Sequence, residues 1–470
     1  MKFVFINPSR DIAAKNIWRI INSENPPLGL ALLSAIWDAQ GHTSQIIDAA
    51  ALQLKIPEII AMINPVTDFV GITATTPEIS RALVIARKVR ETFPGIKIIM
   101  GGVHPTVFHE ELVRDKFCDM VVRNEGEISI TELARGTPCN LIPNLTWRKS
   151  DSEVVVNPDA ETYADLNNLP LPAYHKLPMH LYHSALGAAR QAPSIGMITS
   201  RGCPGKCTFC FSGMFGSQIR LMSPARIIEH IEHLQKNYGI NEISFYDDTF
   251  TANKKNVVQL CQLILAKKIK FTWSCFARVD SVTPELLLLM GKAGCHQIMY
   301  GFETVDENIL KNINKGLSVA QFQKAIGWTK AAKINIRGAF MLGNPGETLA
   351  SMERTINYAK TIGIPFAVFN ITTPYPGTAM YNEFASKNLL LHRNWELYNL
   401  AEPILKLDTV SEEAVKQFYY KAYRDFYLRP DFILRHIFAK HTLAELLIYV
   451  KAAVRITGLL FRNIFPKQSL

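Results

Sequence analysis

The feature that most constrains this 470-residue chain is Cys203-Pro-Gly-Lys-Cys207-Thr-Phe-Cys210, a C-x3-C-x2-C run directly after the apolar stretch 195–198. Three cysteines within eight residues, with Gly202, Pro204 and Gly205 among them, make a loop able to wrap one metal centre. Three thiolates are one short of the four that close a structural zinc site or an ordinary four-cysteine cluster. A [4Fe–4S] cluster held this way keeps one iron open to an outside ligand. The competing reading, a partial zinc knuckle, lacks a fourth ligand nearby.

With Phe209 ahead of its last cysteine, the loop resembles the hallmark of the radical SAM superfamily. That resemblance implies Cys203, Cys207 and Cys210 as cluster ligands, with S-adenosylmethionine on the open iron through its amino and carboxylate groups. The flanking pattern agrees. Strand signals at 195–200, 241–246, 270–275, 296–302, 335–341 and 366–371 alternate with helix signals near 223–237, 254–266, 283–293, 318–331, 347–361 and 378–389. Ser223-Pro224 and Thr283-Pro284 are helix-entry pairs. Six β/α units predict a partial barrel with its site at the strand C-termini, where the cysteine loop falls.

The other strand ends read the same way. The acids Asp247 and Asp248 have two readings: they bind the ammonium and ribose of the cosubstrate, or they cap the next helix. Arg278 either pairs with the cosubstrate carboxylate or forms a surface ion pair. Gly301-Phe302-Glu303-Thr304 resembles the family's Gly-x-Glu-Ser element, with Thr304 in place of Ser, and implies Glu303 as a cosubstrate contact. The resemblance likewise assigns Phe209, Gly343 and Pro345 to that pocket, and Pro374-Tyr375-Pro376-Gly377-Thr378 to a wall of the cleft. Cys261, Cys275 and Cys295 read as buried packing thiols.

Before the barrel, strands at 2–6, 44–47, 69–73, 96–100 and 120–122 alternate with helices near 28–40, 56–64, 77–93 and 127–135. This predicts an α/β, doubly wound parallel sheet, whose ligands sit at the strand carboxyl ends. Pro26-Pro27-Leu28-Gly29, the loop Gly101-Gly102-Val103-His104-Pro105-Thr106 and the turn Asn124-Glu125-Gly126-Glu127 resemble the cobalamin-binding domain found ahead of many radical SAM domains. The family's turn begins with Gly; Asn124 can keep its left-handed conformation. The implied cobalamin contacts are Asn7, Pro8, Thr75, Thr76, Gly101, Gly102, His104, Glu125 and Gly126. The D-x-H-x-x-G signature is missing, because Asp48 is followed two residues on by Ala50, so no histidine of that motif serves as axial ligand. The plainer reading is a flavodoxin-like domain that has lost its cofactor.

A hairpin over 145–156 and the extended, proline-stiffened segment 169–174 read as a connector, dividing the chain into 1–135, 136–190, 191–390 and a helical region 391–470. In that last region Phe418, Tyr419, Tyr420, Tyr423, Phe426, Tyr427 and Phe432 crowd a predicted helix, as core or as a lid over substrate. Farther on, Leu443, Leu446, Leu447, Val450 and Val454 follow helical spacing with Lys451, Arg455 and Arg462 on one flank. Such a helix docks on the protein's own body or lies on an anionic membrane surface. Lys and Arg number 51 against 41 acids, and residues 429–470 hold seven against two. The basic balance therefore describes the C-terminus, not a nucleic-acid partner. Cysteines without a paired framework, and a first segment that reads as a buried strand, predict a reducing cytoplasm, with peripheral membrane contact at the C-terminus.

The resemblance, spanning about 1–390, implies an enzyme similar to the class B radical SAM methyltransferases and to the anaerobic Mg-protoporphyrin ester cyclase group. It implies reductive cleavage of S-adenosylmethionine to a 5′-deoxyadenosyl radical, hydrogen abstraction from an unactivated carbon of a hydrophobic or ring-bearing substrate, and methyl donation from cobalamin. Flavodoxin or ferredoxin would be the reductant. Ring closure or carbon–carbon bond formation on a tetrapyrrole or lipid is the alternative outcome, and a non-catalytic iron–sulfur or cobalamin sensor the alternative class. A methylthiotransferase is disfavoured, since the first domain offers only Cys118 for a second cluster. No general acid or base can be named from the sequence.

Overall fold

Lys2–Asn7 (β1) alternates between two faces, Phe3 and Phe5 on one, Val4 and Ile6 on the other, and all four are buried. A strand apolar on both faces belongs in a sheet covered on both sides. In this computed structural model, which describes residues 1–9, 23–185, 187–211 and 214–438 (435–438 by backbone alone), β1 lies between Thr43–Asp48 (β2) and Phe69–Thr73 (β3). Lys97–Gly101 (β4) and Met120–Val122 (β5) continue the sheet, giving the parallel order β2-β1-β3-β4-β5. The hairpin of Leu145–Ser150 (β6) and Glu153–Val156 (β7) then adds antiparallel to β5. The first sheet thus runs past residue 135 and takes in the hairpin that the sequence assigned to the connector.

The helices before the barrel are Leu28–Ala39 (α1), Ile56–Ala61 (α2), Ile79–Thr92 (α3), Val103–Val107 (α4), His109–Arg114 (α5) and Glu127–Ala134 (α6). Leu30, Ile36 and Trp37 of α1 and Ile130 of α6 share a core with Phe3 and Phe5. On the opposite face, Ala82, Ile85 and Val89 of α3 pack with Val4 and Ile6. Neither α4 nor α5 was predicted: at five and six residues, each is too short for helical periodicity to show.

Beyond the connector come Ser194–Met197 (β8), Ser200–Arg201 (β9), Arg220–Leu221 (β10), Glu242–Phe245 (β11), Thr272–Ala277 (β12), Cys295–Glu303 (β13), Asn335–Leu342 (β14) and Phe366–Ile371 (β15). The parallel order β8-β11-β12-β13-β14-β15 makes a half-barrel of six strands. The short strands β9 and β10 pair antiparallel and clasp the two ends of the cysteine loop. The helices here are Pro224–Tyr238 (α7), Lys254–Lys267 (α8), Pro284–Lys292 (α9), Glu307–Asn312 (α10), Val319–Ala331 (α11), Leu349–Thr361 (α12) and Ala379–Ser386 (α13). Ser223 and Thr283 cap α7 and α9, accepting from the N–H groups of Arg226 and Leu286, as the entry pairs predicted.

A half-barrel leaves β15 as an edge of unpaired backbone groups. Glu412–Tyr427 (α14), followed by Pro430–Phe438 (α15), covers it. The Tyr423 hydroxyl accepts from Phe369 N–H and donates to Phe369 C=O, and Tyr427 does the same for Ala367. One helical turn, about 6 Å over four residues, nearly matches the roughly 6.6 Å between alternate strand residues, so two tyrosines serve two edge positions. The aromatic stretch is therefore core and edge cover, not a lid. No helix among the described residues is long and apolar enough to cross a membrane. The basic stretch from Leu443 to Arg462 lies outside the described residues.

Candidate active site

The cysteine loop follows β9, and backbone hydrogen bonds pin it. Cys203 N–H donates to Gly216 C=O at 3.3 Å, Thr208 N–H to Ile313 C=O at 3.0 Å, and Met380 N–H to Thr208 C=O at 2.9 Å. Inside the loop, a Cβ built on Gly205 would lie 3.4 Å from Cys203 Sγ, 3.6 Å from Arg278 Nη1 and 3.9 Å from Cys207 Sγ. Two thiols and a guanidinium thus border the same side of Gly205. Burial pushes the Cys207 thiol upward, and Cys203 beside it adds to the shift. Crowded thiols of this kind become thiolates only against a cation such as cluster iron. No three acid, histidine or cysteine side chains among the described residues close tightly enough for a bare ion. A sulfide-bridged cluster spreads its thiolate ligands wider than one ion does, and the donor set suits it.

Glu303 ends β13 at φ +63°, where the register with β14 slips by one residue. A side-chain-bearing residue in that region stores strain, and such residues cluster at ligand sites. Its Oε1 accepts from Lys315 Nζ at 2.7 Å, and both side chains are at least nine-tenths buried. Lys315 Nζ also lies 5.9 Å from the Phe209 ring centre. The sequence reading missed Lys315, a lone lysine in the loop after α10. Arg278 borders the cysteine loop and pairs with Asp280 at 2.9 Å, as the ion-pair reading expected.

Other predicted contacts are already engaged. Asp247 is buried, and its carboxylate accepts from Thr199 N–H and Thr199 Oγ1, both at 2.6 Å. Burial pushes it up to about 6. It straps the segment leading into the cysteine loop, while its neighbour Asp248 reaches solvent. Phe209 packs on the small core of Ile309, Ile313, Met380 and Phe384. At Gly343, φ is +77° and a Cβ would lie 2.8 Å from Val415 Cγ1, so this glycine admits α14. Pro345 presents its C=O to Asn312 Nδ2 at 3.2 Å.

The first sheet offers a cavity of about 320 Å³ at its carboxyl end, between the Phe3/Phe5 face, α1, α6 and the proline-rich connector. Gly101, Gly102, Glu125 and Gly126, all predicted contacts, line it. Gly102 has φ +97°, and a Cβ there would strike Thr73 Oγ1 at 2.8 Å, so the loop requires glycine. Asn124 takes φ +56°, the left-handed conformation expected of it. An apolar slot with a glycine-lined mouth suits part of a large cofactor such as a corrinoid, which Gly101, Gly102 and Gly126 would admit.

The remaining predicted contacts lie outside this cavity. Asn7 Nδ2 donates to Asp48 Oδ1 at 2.8 Å, beside buried Pro8. Thr75 Oγ1 donates to Glu78 Oε2 at 2.7 Å, and Thr76 sits 3.3 Å from His104 Nδ1. His104 is buried under Trp395, ring centres 5.1 Å apart, and burial pushes it down to about 4. It is a packing histidine covered by the C-terminal region.

Glu125 and Glu127 also reach across to the barrel. Glu127 Oε1 accepts from Arg201 Nη2 at 2.6 Å, Glu125 Oε2 from Arg220 Nη1 at 2.9 Å, and Glu125 pairs with Arg201 as well. Both arginines flank the cysteine loop, on β9 and β10. The sequence reading missed them, although Arg201 stands two residues before Cys203.

Comparison with known proteins agrees with this geometry. Residues 197–359 match the radical SAM superfamily and residues 19–134 the B12 binding domain. The chain is 35% identical to an uncharacterized methyltransferase of Pyrococcus horikoshii, covering 94% of this chain and 95% of that protein. It is 26% identical to the anaerobic magnesium-protoporphyrin IX monomethyl ester cyclase of Rubrivivax gelatinosus, over 92% of this chain and 78% of that protein. The fold is similar to that of the cobalamin-dependent S-adenosylmethionine radical enzyme OxsB with aqua-cobalamin and S-adenosylmethionine bound: TM-score 0.74 and 15% identity, over 98% of this chain and 72% of that one. The chain therefore belongs to the cobalamin-dependent radical SAM enzymes, which work with a [4Fe–4S] cluster, S-adenosylmethionine and cobalamin.

Proposed function

We propose that the protein methylates an unactivated carbon of a hydrophobic, ring-bearing substrate. The observation that carries this is the inner face of the half-barrel. Tyr300 and Phe302 of β13 pack outward on Thr329 and Phe322 of α11, so Met299, the residue before Tyr300, faces inward. Half-buried Phe276 pairs with Met299 across β12 and β13, and its ring lies 5.3 Å from that of half-buried Tyr246. Aromatic and thioether surfaces of this kind hold flat apolar molecules.

In this reading Cys203, Cys207 and Cys210 hold the cluster. Glu303, oriented by Lys315, addresses the ammonium of the cosubstrate, and Arg278 its carboxylate. Gly101, Gly102 and Gly126 admit the corrinoid. When bound, these cofactors supply the reductive cleavage, hydrogen abstraction and methyl donation. The chain's part is orientation and exclusion of water between two packed sheets.

The test is anaerobic incubation of reconstituted protein with a flavodoxin or ferredoxin reductant, cobalamin and S-adenosylmethionine, with nucleoside products measured by mass spectrometry. Both 5′-deoxyadenosine and S-adenosylhomocysteine are expected, and neither from Cys207→Ala. The likeness to the cyclase favours ring closure as a second reading. 5′-Deoxyadenosine without S-adenosylhomocysteine would decide for it.

A further inference from the structure

The inner face of the half-barrel carries a guanidinium that no described residue neutralises. Met299, already placed on that face, pairs with Arg337 across β13 and β14, and Arg337 pairs with Phe366 across β14 and β15. Residues opposite one another on neighbouring strands share a face. Phe340, three residues on, packs outward on Phe302 and Phe369, which independently turns Arg337 inward. Outward-facing Tyr300, Phe302, Phe340 and Phe369 are fully buried, whereas Phe276, Met299, Arg337 and Phe366 are each half-buried. The inner face therefore borders an open space, and a row of apolar side chains there is interrupted by a cation.

Arg337 Nε is buried without a partner, and no carboxylate among the described residues pairs with the side chain. The acids of this face are already engaged. Glu303 is taken by Lys315, and Glu242, on the inner face of β11, by His296 Nε2 at 2.6 Å and by the Thr272 hydroxyl. Across the row, burial pushes the Tyr246 hydroxyl upward while the Arg337 charge pulls it back, so the two lie within electrostatic reach. Toward the cysteine loop, the next inward pair after Met299 and Arg337 is Gly301 and Ala339, which leaves the space above the guanidinium clear. A Cβ built on Gly301 would lie 2.5 Å from Glu303 Oε1, so that carboxylate marks the upper end of the space. A half-buried cation without a counter-charge is costly to keep, and the planar fork of a guanidinium matches an oxyanion.

We infer that the substrate carries an acidic group, a carboxylate or a phosphate, which Arg337 seats inside the half-barrel while the apolar remainder lies against Met299 and Phe276. This rests on the reading of that face as the substrate's seat. Held at its acidic end, the molecule runs from Arg337 toward Glu303, so the carbon presented to the cosubstrate lies at the end away from the acid.

The experiment is anaerobic equilibrium dialysis of the reconstituted holoenzyme, with cluster and cobalamin bound so that the cofactor sites are filled. The probes share one ring system: 2-naphthoate, 2-naphthyl phosphate and the neutral 2-naphthylmethanol. Wild type is expected to bind at least one of the acids about tenfold more tightly than the alcohol, as a charge-assisted pair of hydrogen bonds would give. Whichever acid binds more tightly identifies the group as carboxylate or phosphate. Arg337→Met should bring both acids to the alcohol's value and leave the alcohol unchanged, and Arg337→Lys should keep part of the preference. Thermal unfolding of Arg337→Met should match or exceed wild type, because no partner is stranded; a clear loss would assign Arg337 to the fold and overturn the inference. Acids bound no more tightly than the alcohol, or a preference that survives Arg337→Met, overturn it while leaving the apolar face as the substrate's seat. Failure of all three probes to bind would instead bring down the reading of that face, and the inference with it.

Discussion

Glu303 shows how much a single residue contributes here. Its left-handed backbone turns the carboxylate back over Gly301, where Lys315 Nζ meets it. Removing one partner of a buried ion pair strands the other charge, a loss of about 3–5 kcal/mol, whereas removing both costs far less. Lys315→Met is therefore expected to destabilise the protein by that amount, and Lys315→Met with Glu303→Gln to recover most of it. Urea unfolding of the three proteins would check this; a single variant within about 1 kcal/mol of wild type would mean that water already reaches the pair. Glu303 was legible in the sequence because a motif named it. Lys315 was not, since nothing in the spacing of a loop lysine reports that its ammonium turns inward.

Among the elements, the turn between β14 and α12 is the most tightly wired. Asn344 N–H and Nδ2 donate to Glu347 Oε2 at 2.8 and 3.2 Å, and Thr372 Oγ1 donates to Asn344 Oδ1 at 2.9 Å. The other carboxylate oxygen of Glu347 is buried without a partner, and burial pushes the group up to about 7 from its ordinary 4.5. The folded state therefore holds this proton more tightly than the unfolded chain does. Stability associated with Glu347 is fully present below pH 4.5 and is lost as pH rises through 7. Glu347→Gln keeps the acceptor and removes the titration. Its stability relative to wild type should rise by about 3 kcal/mol between pH 4 and pH 8, read from thermal unfolding at both ends. A flat difference across that range would show that water or a counter-charge reaches the second oxygen. The sequence marked this turn by its glycines and assigned them to a ligand. Gly343 also admits α14, and the approach of that helix, starting at Glu412, leaves no mark on local spacing.

At the scale of the whole molecule, the two sheets were legible from apolar runs and strand-end motifs, and their junction was not. Periodicity reports which face of an element is buried, not which element buries it. So the Asn124-Glu125-Gly126-Glu127 turn read as a cofactor loop, while its two acids clasp Arg201 and Arg220 at the entrance and exit of the cysteine loop. All four side chains are at least four-fifths buried, so the clasp sits in a low-dielectric seam that ties the first sheet to the cysteine loop. Arg201→Met would leave Glu127 without its cation and Glu125 with one of two. The expected cost is about 3–5 kcal/mol, concentrated at the seam. Hydrogen exchange should therefore quicken over 123–130 and 196–203, with the α3 face of the first sheet unchanged. In the reconstituted enzyme, 5′-deoxyadenosine should still form while S-adenosylhomocysteine falls away, because cleavage needs only the barrel and methyl transfer needs both sheets in register. Equal losses of the two products, or exchange quickened throughout the chain, would show that the clasp holds the fold as a whole and not the spacing of its two sites.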